Sequence, residues 1–362
     1  MNDLDDLVLL KIFSFISIRK LNKLKPTCKK WNHLIVEAIS SRKTRVETLL
    51  YVNKHESSEC TLNDLINSES FNRQLDDDID KLSIANPEFC LLFANTQFSS
   101  HLIETDLILN HLKEKIHIRN GLISCAYGCI GTDLQNTKTV EIEADKYDAL
   151  SAILFPESKY YKIILAKNLK EISELTNDFI LNYIFLISKS WRPFKTNEIK
   201  RFKCPVSGGL VDSLHLISAS NTNEESNANC FAIVSQNKDD VRIAQVVVPS
   251  CELDEFNEIA NDKLTKLQQT GIYNDKSDRS IFALQVTCCG KGMDFHSSEN
   301  YETIMFRKYF PNIKIIGFYA NGEIGFDFLP DYTQSEPDLI ADVDKIKTLG
   351  LTTIFTIVSV RN

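Results

Sequence analysis

The stretch from residue 282 to residue 329 constrains the fold of this chain most, because glycines and a proline divide it into short alternating elements. The β-branched and aromatic run at 281–286 predicts a buried strand. The sequence CCGKG follows at 288–292, and its two glycines allow backbone angles at which a side chain would clash. The sequence therefore predicts a strand that ends in a sharp turn.

A helix is predicted directly after this turn. Ser298 is placed to cap its N-terminus. Acidic residues, including Glu302, fall in the first turn and basic residues, including Arg307, fall in the last, which is the order that the helix dipole favours. Pro311 prevents the helix from continuing.

Two further strand-like runs, at 313–319 and 323–329, follow this proline. Asn321 and Gly322 lie between them, and Asn-Gly is typical of a type I′ turn, in which two residues have positive φ. The pair therefore predicts a tight hairpin. We expect Glu323 to be an exposed turn carboxylate, and the alternative is that it binds the amine of a ligand.

Composition narrows the class of protein. The chain has 362 residues, of which 43% are hydrophobic, and this is enough for one large α/β domain with a filled core and a small additional module. Its net charge of -8 argues against a dedicated nucleic-acid-binding protein, which needs a clustered basic face. We therefore expect a soluble globular protein with no direct nucleic-acid partner.

The cysteines and the apolar segments of the sequence help to predict the cellular compartment of the protein. Ten cysteines lie in no regular framework, and the N-terminus lacks the charged and then apolar pattern of a signal peptide. We expect free thiols in a reducing compartment. The most apolar windows, at 179–187 and 351–360, are too short to span a membrane, so we expect no membrane partner.

Apolar residues recur at helical spacing up to about residue 40 and predict three short helices. So small a module cannot bury all of this apolar surface by itself. Two interpretations remain open at this point. Either a partner protein covers one apolar face of the helices, or the helices pack as a cap on the rest of this chain.

The segment after these helices begins with an alternating run at 45–52, which we expect to add a strand to the sheet of the following domain. Residues 53–80 are interpreted as an insertion of undetermined structure. They contain three consecutive aspartates at 76–78, a pattern typical of a solvated face.

The central part of the chain mixes strand and helix signals. A strand, a helix and a strand are predicted at 89–95, 102–116 and 121–127. The runs at 231–235 and 241–248 predict a hairpin, and an amphipathic helix follows and ends at Gly271. Strands that alternate with helices and hairpins predict an α/β fold of mixed α+β layers.

Two pairs of cysteines are candidates for a chemical role. Cys288 and Cys289 lie beside Lys291, and a cationic neighbour favours a thiolate nucleophile. We favour small structural cysteines at a tight turn instead, because adjacent strand residues point to opposite faces. Cys125 and Cys129 lack a second pair or a histidine at zinc-finger spacing. We therefore expect no catalytic residue, metal or cofactor.

The first 44 residues resemble the F-box through the order LDDLVLLKIF, ISIRKLNKL and PTCKKW. Asp5 stands where proline is usual in that family, and Lys20 stands where an acidic residue is common. The resemblance implies docking on a Skp-type adaptor of a cullin-RING ubiquitin ligase. The adaptor contacts that it implies are Leu4, Val8, Leu9, Ile12, Phe13, Leu21, Cys28 and Trp31.

The order CCGKG, FRKYFP and GFYANGEIG resembles the signature of the C-terminal half of FIST domains, which occur in bacterial sensory proteins and in one F-box family. The resemblance implies a FIST-like body with an N-terminal-like half at 45–250 and a C-terminal-like half at 251–362. The signature residues, structural or facing a ligand or substrate, are Cys288, Cys289, Gly290, Gly292, Phe310, Pro311, Gly317, Asn321, Gly322, Glu323 and Gly325.

Together these resemblances imply a non-catalytic substrate-recognition subunit of an SCF-type E3 ubiquitin ligase, which promotes ubiquitination and proteasomal degradation of its targets. They also imply a cytoplasmic and nuclear protein whose substrates include chromatin or transcription regulators. Two alternatives stay open. One is a FIST-domain sensor of a small amino-acid-like ligand, and the other is a scaffold with a degenerate F-box.

Overall fold

A computed structural model describes most of the chain. The described residues are 5–13, 16, 18–40, 45–53, 69–82, 84, 87–95, 118–143, 148–190, 195–217, 224–225, 228–274, 278–339 and 341–362. The helix predicted at 102–116 lies outside these residues, as do Leu4 and residues 54–68.

The described α-helices are α1 (Asp6–Phe13), α2 (Ile18–Leu24), α3 (Lys29–Ser40), α4 (Glu69–Lys81), α5 (Leu169–Leu175), α6 (Thr196–Ile199), α7 (Leu253–Gln269), α8 (Met293–His296) and α9 (Tyr301–Tyr309). Short 3-10 turns are present at Lys25–Thr27, Lys200–Phe202, Cys289–Lys291 and Val343–Lys345.

The strands are β1 (Glu47–Asn53), β2 (Phe89–Asn95), β3 (Asn120–Ala126), β4 (Gly128–Thr132), β5 (Thr139–Glu143), β6 (Asp148–Phe155), β7 (Tyr161–Ala166), β8 (Ile180–Ser188), β9 (Val206–Leu210), β10 (Ser213–Ile217), β11 (Glu224–Glu225), β12 (Ala228–Ser235), β13 (Val241–Val248), β14 (Arg279–Cys288), β15 (Lys314–Ala320), β16 (Glu323–Gly325), β17 (Lys347–Leu349) and β18 (Thr353–Arg361).

These strands form three mixed sheets. Sheet I has the order β1-β6-β2-β3-β10-β11, sheet II has the order β13-β18-β14-β15-β4-β5, and sheet III has the order β17-β16-β9-β8-β12-β7. One neighbouring pair in each sheet is parallel: β2 with β3, β14 with β15, and β8 with β9. The chain therefore has the mixed α/β fold that its sequence predicts.

The three sheets meet in one apolar core. Phe93 of sheet I stacks on Phe318 of sheet II with ring centroids 5.0 Å apart, and Phe185 of sheet III meets both rings edge-on at 6.4 and 6.1 Å. On its other face, sheet II is covered by α7 and α9 through buried residues such as Phe256 and Phe306. Edge-on and offset contacts are the arrangements that aromatic rings favour.

Strand order is repeated between sheets I and II. The order β1-β6-β2-β3 in sheet I has the same relative strand directions as β13-β18-β14-β15 in sheet II. The turn after the third strand of each set also has a similar sequence, AYGCIG at 126–131 and ANGEIG at 320–325. The body thus contains an internal repeat, which local sequence patterns did not indicate.

The two halves expected at 45–250 and 251–362 share their sheets. β4 and β5 belong to the first half by sequence, yet β4 pairs with β15 in sheet II. β16 belongs to the second half and pairs with β9 in sheet III. Each half thus contributes strands to a sheet that contains strands of the other.

The predicted hairpin at Asn321-Gly322 is wrong. β15 lies in sheet II and β16 lies in sheet III, so the two strands do not pair with each other. Gly322 has φ +112°, but Asn321 is not among the described residues with positive φ, so the turn is not type I′. The backbone N–H of Asn321 instead donates to the carbonyl of Leu210 at 3.2 Å, which directs the chain towards β9.

The hairpin predicted at 231–248 is also wrong. β12 pairs with β7 and β8, whereas β13 pairs with β18. Both runs are almost entirely buried, but β12 is an interior strand of sheet III and β13 is an edge strand of sheet II. Proximity in sequence favours a hairpin, but burial on both faces allows each strand to find a more distant partner.

Two local predictions need correction in the second half of the chain. Ser298 does not cap α9, which begins at Tyr301 after Asn300, a residue in the left-handed region at φ +57°. Before it, the chain forms the short helix α8, which the sequence did not indicate. The helix ending at Gly271 is confirmed as α7, and Gly271 has the positive φ typical of a helix end.

The described part of the expected insertion at 53–80 contains a helix. Residues 69–81 form α4, which contacts α2 through an ion pair between Lys20 and Asp80 at 2.7 Å. Of the three consecutive aspartates, Asp77 is exposed and Asp76 and Asp78 are half-buried. Partial burial raises the pKa of Asp78.

Candidate functional site

The N-terminal module begins with a side-chain cap. The carboxylate of Asp5 accepts a hydrogen bond from the backbone N–H of Leu7 at 2.9 Å, and its carbonyl accepts one from the N–H of Leu9 at 3.0 Å. Asp is among the residues preferred at this position because it satisfies an otherwise unpaired N–H. The departure from proline at Asp5 therefore supports α1.

The expected adaptor contacts separate into two groups. Leu9, Phe13 and Leu21 are buried and join Leu34 and Ile35 in the core of the three helices. Trp31 and Cys28 are half-buried: the Trp31 ring packs edge-on against Phe13 at 5.4 Å, and the backbone N–H of Trp31 donates to the Cys28 sulfur at 3.4 Å. These side chains hold the module together.

The second group is exposed. Val8 and Ile12 lie one helical turn apart on α1 and are 45% and 43% exposed. Two residues that were not singled out in the sequence, Leu7 on α1 and Val36 on α3, are 74% and 51% exposed. The helical spacing of apolar residues identifies the side chains that form the module's own core. It does not identify the apolar side chains that stay exposed, and these are seen only in the structure.

The FIST-like signature does not form one site. Phe310 is buried in the cluster under α7, where it packs edge-on against Tyr273 at 5.7 Å, and Pro311 is exposed just after α9. Gly317 lies within β15, where an added Cβ would meet the backbone carbonyl of Gln285 at 1.8 Å. Phe310 and Gly317 serve packing, and Pro311 follows the end of α9. The remaining signature residues cluster at the other end of the same sheet.

That end is where the parallel strands β14 and β15 finish, at Cys288 and Ala320, which are register partners. In open sheets of this kind, ligands bind beyond the carboxyl ends of parallel strands. The signature residues that the structure brings together here are Cys288, Cys289, Gly290, Gly292, Asn321, Gly322 and Glu323. Gly325 follows on β16, facing Ile354.

A buried ion pair lies directly behind the turn. Lys291 and Glu302 are both 1% exposed, and Nζ of Lys291 is 3.5 Å from Oε1 of Glu302. The ammonium also sits 4.4 Å from the ring centroid of Phe256, a cation–π contact. Burial acts to raise the pKa of Glu302, but Lys291 and a hydrogen bond with His296 hold it below its usual value.

Hydroxyl groups complete the surroundings of Glu302. Thr353 donates to its carboxylate at 2.8 Å, and Thr287 donates at 3.0 Å. His296 lies 3.1 Å from Oε1 and stacks on Tyr301 with centroids 4.5 Å apart. A buried carboxylate is tolerated only when it is paired and hydrogen-bonded in this way.

A second carboxyl, that of the half-buried Glu141 of β5, adjoins this cluster. It accepts hydrogen bonds from the backbone N–H of Thr303 at 2.6 Å and from the Tyr319 hydroxyl at 3.2 Å. Burial and the negative charge of Glu302 raise the pKa of Glu141 to about 8. Alternating acidic residues are typical of an exposed strand face, but α9 covers β5.

Gly292 is required by a close approach at the turn. A Cβ at this position would lie 2.4 to 2.7 Å from the carboxylate atoms of Glu143. That carboxylate accepts a hydrogen bond from the Met293 N–H at 2.7 Å, at the start of α8. The second glycine of CCGKG therefore leaves room for an acidic side chain from β5.

Glu323 is fully buried, so the expectation of an exposed turn carboxylate is wrong. Its Oε2 accepts a hydrogen bond from the Thr352 hydroxyl at 2.8 Å, while its Oε1 has no partner among the described residues. Burial raises the pKa of Glu323 to about 7. The equivalent position in the first copy of the repeat is Cys129, so the fold itself does not require a carboxyl here.

The two adjacent cysteines differ in exposure. Cys288 is buried and Cys289 is half-buried. Burial raises the pKa of both thiols, and Glu323 adds to the effect. A raised pKa disfavours the thiolate form that a nucleophile needs.

Cys125 and Cys129 are buried in β3 and β4. No group of three or more metal-ligating side chains is arranged to hold a metal ion anywhere in the described part of the chain. Among the described helices, none is long and apolar enough to cross a membrane.

The geometry thus defines a mixed α/β protein with a three-helix N-terminal module that exposes apolar side chains and a body with a buried polar cluster. No family model matches the chain. F-box only protein 22 of Homo sapiens and of Pongo abelii is in each case 28% identical to it over 123 residues. The match covers 34% of this chain and 29% of each relative, and it supports a distant relationship to an F-box protein.

Proposed function

We propose that this chain is the substrate-recognition subunit of an SCF-type, cullin-RING E3 ubiquitin ligase. In this proposal the three-helix module binds a Skp-type adaptor, and the FIST-like body binds target proteins. The observation that carries it is the set of exposed apolar side chains on the module. Leu7, Val8, Ile12 and Val36 are all large, apolar and uncovered, which is typical of a protein-binding surface.

The distant relationship to an F-box protein supports the same role. The ion pair between Lys20 and Asp80 also supports this role. It joins α2 to α4, and the exposed side chains of α1 lie outside that contact. The departure from the usual acidic residue at Lys20 thus has a structural role within this chain.

The chain's own contribution to ubiquitin transfer is positional. A target held beside the charged conjugating enzyme experiences a high effective concentration of the thioester. In this proposal the chain needs no catalytic residue. The raised pKa of the Cys288 and Cys289 thiols agrees with this role. The expected outcome is ubiquitination and proteasomal degradation of targets, including chromatin or transcription regulators, in the cytoplasm and nucleus.

The test is binding of the purified full chain to a purified Skp-type adaptor. The double variant Val8→Asp, Ile12→Asp should lose binding at micromolar concentration, because each charge would be buried without a partner at the interface. Leu175→Asp is the matched control, since Leu175 is an equally exposed apolar residue on α5, outside the module. Equal binding by all three proteins contradicts the proposal, and absence of binding by the unaltered chain leaves the scaffold alternative.

A sensor of a small amino-acid-like ligand is the second candidate, and Glu323 favours it. A buried carboxyl oxygen without a partner is costly, and a ligand amine would provide one. A thermal-shift series with amino acids and simple alkylamines tests this function. Stabilisation that Glu323→Gln abolishes supports it, and no shift with any amine contradicts it.

A further inference from the structure

Strand β7 is an edge strand of sheet III. It is the last strand of sheet III, and no described strand pairs with its outer side. Its register partner on the inner side is β12, from Tyr161 opposite Ser235 to Ala166 opposite Cys230. Three consecutive apolar residues, 163–165, are only half-buried. An open row of backbone N–H and C=O groups is a template for one more strand.

Other long edges of the sheets are covered. Along β13, Gln245 and Phe328 exchange two backbone hydrogen bonds of 2.7 and 2.8 Å. The Tyr332 hydroxyl bonds to both the N–H and the carbonyl of Ile243. On β5, the N–H of Glu141 donates to Asn300 at 2.6 Å.

The remaining edges are short or in contact with neighbouring strands. β17 has three residues and β11 has two. On β1, the hydroxyl of Thr48 donates to the carbonyl of Thr132 in β4, and Leu49 and Leu50 are both buried. Within the described residues, β7 is therefore the edge best suited to accept a strand.

A pocket of about 180 Å³ lies at the N-terminal end of β7. We call it the Tyr160 pocket, and its lining residues are Pro156, Glu157, Ser158, Lys159, Tyr160, Tyr161, Arg361 and Asn362. Two cations lie over the Tyr160 ring, with the Lys159 ammonium 4.9 Å and the Arg361 guanidinium 4.7 Å from its centroid.

The Tyr160 pocket is rich in hydrogen-bond donors. Tyr161 is 5% exposed, and its buried hydroxyl has no partner among the described residues. The amide nitrogen of Asn362 also has none, while its oxygen accepts a hydrogen bond from Ser280 at 2.5 Å. Unsatisfied buried donors are costly. A carboxylate in the pocket would face the two cations, and the Asn362 amide is a donor for it.

Three acidic side chains lie near these cations. They leave donors of the two cations available to a further carboxylate. Arg361 is 3.6 Å from Asp240 and 3.8 Å from Asp278, distances too long for strong hydrogen bonds. Glu157 is exposed and lies 3.9 Å from Arg119. No ion pair of Lys159 is present among the described contacts.

We infer that the β7 edge and the Tyr160 pocket together bind an extended segment of a target protein. The segment adds as an antiparallel strand along β7, with apolar side chains beside Ile163 to Leu165. Because the strand runs antiparallel, its C-terminal end reaches the start of β7 and places an Asp or Glu side chain in the Tyr160 pocket. Strand addition of this kind takes affinity from main-chain hydrogen bonds and specificity from pockets. The identity of the segment as part of a ligase target rests on the proposed function.

The test is the binding of fluorescent peptides to the full chain, followed by anisotropy. The probe is a peptide of about ten residues that alternates Val and Thr and ends in Glu. A second peptide has Lys in place of Glu. Two further peptides carry N-methyl groups on alternate residues, and the residues methylated in one are those left unmethylated in the other. We expect the Glu peptide to bind about tenfold more tightly than the Lys peptide. Only one phase of N-methylation should abolish binding, because alternate N–H groups face the neighbouring strand.

Reversing the charge of Lys159 distinguishes recognition in the Tyr160 pocket from non-specific electrostatic attraction. Lys159→Glu should reverse the preference, so that the Lys peptide binds more tightly, while Lys170→Glu on the exposed side of α5 should leave the preference unchanged. Equal affinities of the Glu and Lys peptides, or equal loss with both N-methyl phases, overturn the inference. If circular dichroism shows that Lys159→Glu is unfolded, Lys159→Gln should still reduce the preference for Glu.

Failure of this inference is distinguishable from failure of the proposed function. The Val8→Asp, Ile12→Asp variant should lose the adaptor and bind the Glu peptide as the unaltered chain does. If the adaptor binds but no peptide does, the β7 inference is overturned and the ligase role stands. If the Glu peptide binds with the expected phase and charge preference but the adaptor does not, strand addition stands and the ligase role falls.

Discussion

The ammonium nitrogen of Lys291 lies 3.5 Å from Oε1 of Glu302, with both side chains only 1% exposed. A buried pair of this kind is not necessarily stabilising, because the loss of hydration offsets much of the attraction between the charges. Its two members are nevertheless dependent on each other. Removal of one leaves the other charge buried without compensation.

Glu302→Gln should therefore lower the free energy of unfolding by about 3 kcal/mol. Lys291→Met in the same chain should restore most of this loss, because Met has a similar shape and no charge. Urea unfolding of the two single variants and the double variant measures the coupling. If the double variant loses as much stability as the two single losses added together, the two charges do not interact.

Glu323 predicts a dependence of stability on pH. The usual pKa of a glutamate carboxyl is 4.5 and the pKa of Glu323 in the folded chain is about 7, so the folded chain holds the proton more tightly. The stability that protonated Glu323 contributes is fully present below pH 4.5 and is lost as the pH rises through 7. Glu323→Gln should remove this loss. At pH 8 the free energy of unfolding of this variant should be about 2 kcal/mol higher than that of the unaltered chain.

The measurement is the free energy of unfolding of both proteins between pH 4 and pH 8. Glu141 also titrates with a raised pKa, so the difference between the two proteins is the informative quantity. A difference that does not change over this range contradicts the assigned protonation of Glu323.

Local sequence signals predicted individual elements well. The run at 89–95 predicts β2 within the same bounds, and the periodicity after Leu253 predicts α7. The three N-terminal helices were also predicted, since helical spacing is a local property. Such signals depend on residues within one or two turns, and they say nothing about distant partners.

Strand pairing was the part that local signals missed. The runs that contain β12 and β13 adjoin in sequence, yet each pairs with strands far away in the chain. The burial of Glu323 was missed for the same reason. It depends on β9 and β17, which pair with β16 from positions more than twenty residues away. The repeated AxGxIG sequence was the signal that would have indicated the repeat and the unusual carboxyl.

The cysteine pair supplies a test of the non-catalytic role. Cys288→Ala and Cys289→Ala should each leave ubiquitin transfer unchanged in a reconstituted ligase, with lysines of the chain itself as acceptors. The physical reason is that burial raises the pKa of both thiols, so little thiolate is present near neutral pH. Loss of transfer in either variant, with adaptor binding and circular dichroism unchanged, contradicts the proposal that the chain is not an enzyme.

Gly322 is expected to be the least replaceable residue of the turn between β15 and β16. Its φ of +112° lies in a region that β-branched residues strongly resist, and the chain must change from sheet II to sheet III at this point. Gly322→Val should lower the free energy of unfolding by about 2 kcal/mol or more. Gly350→Val is the matched control, because a Cβ at Gly350 would meet no atom within 4 Å. Urea unfolding compares the two variants, and similar losses in both would mean that backbone conformation at Gly322 does not determine the change of sheet.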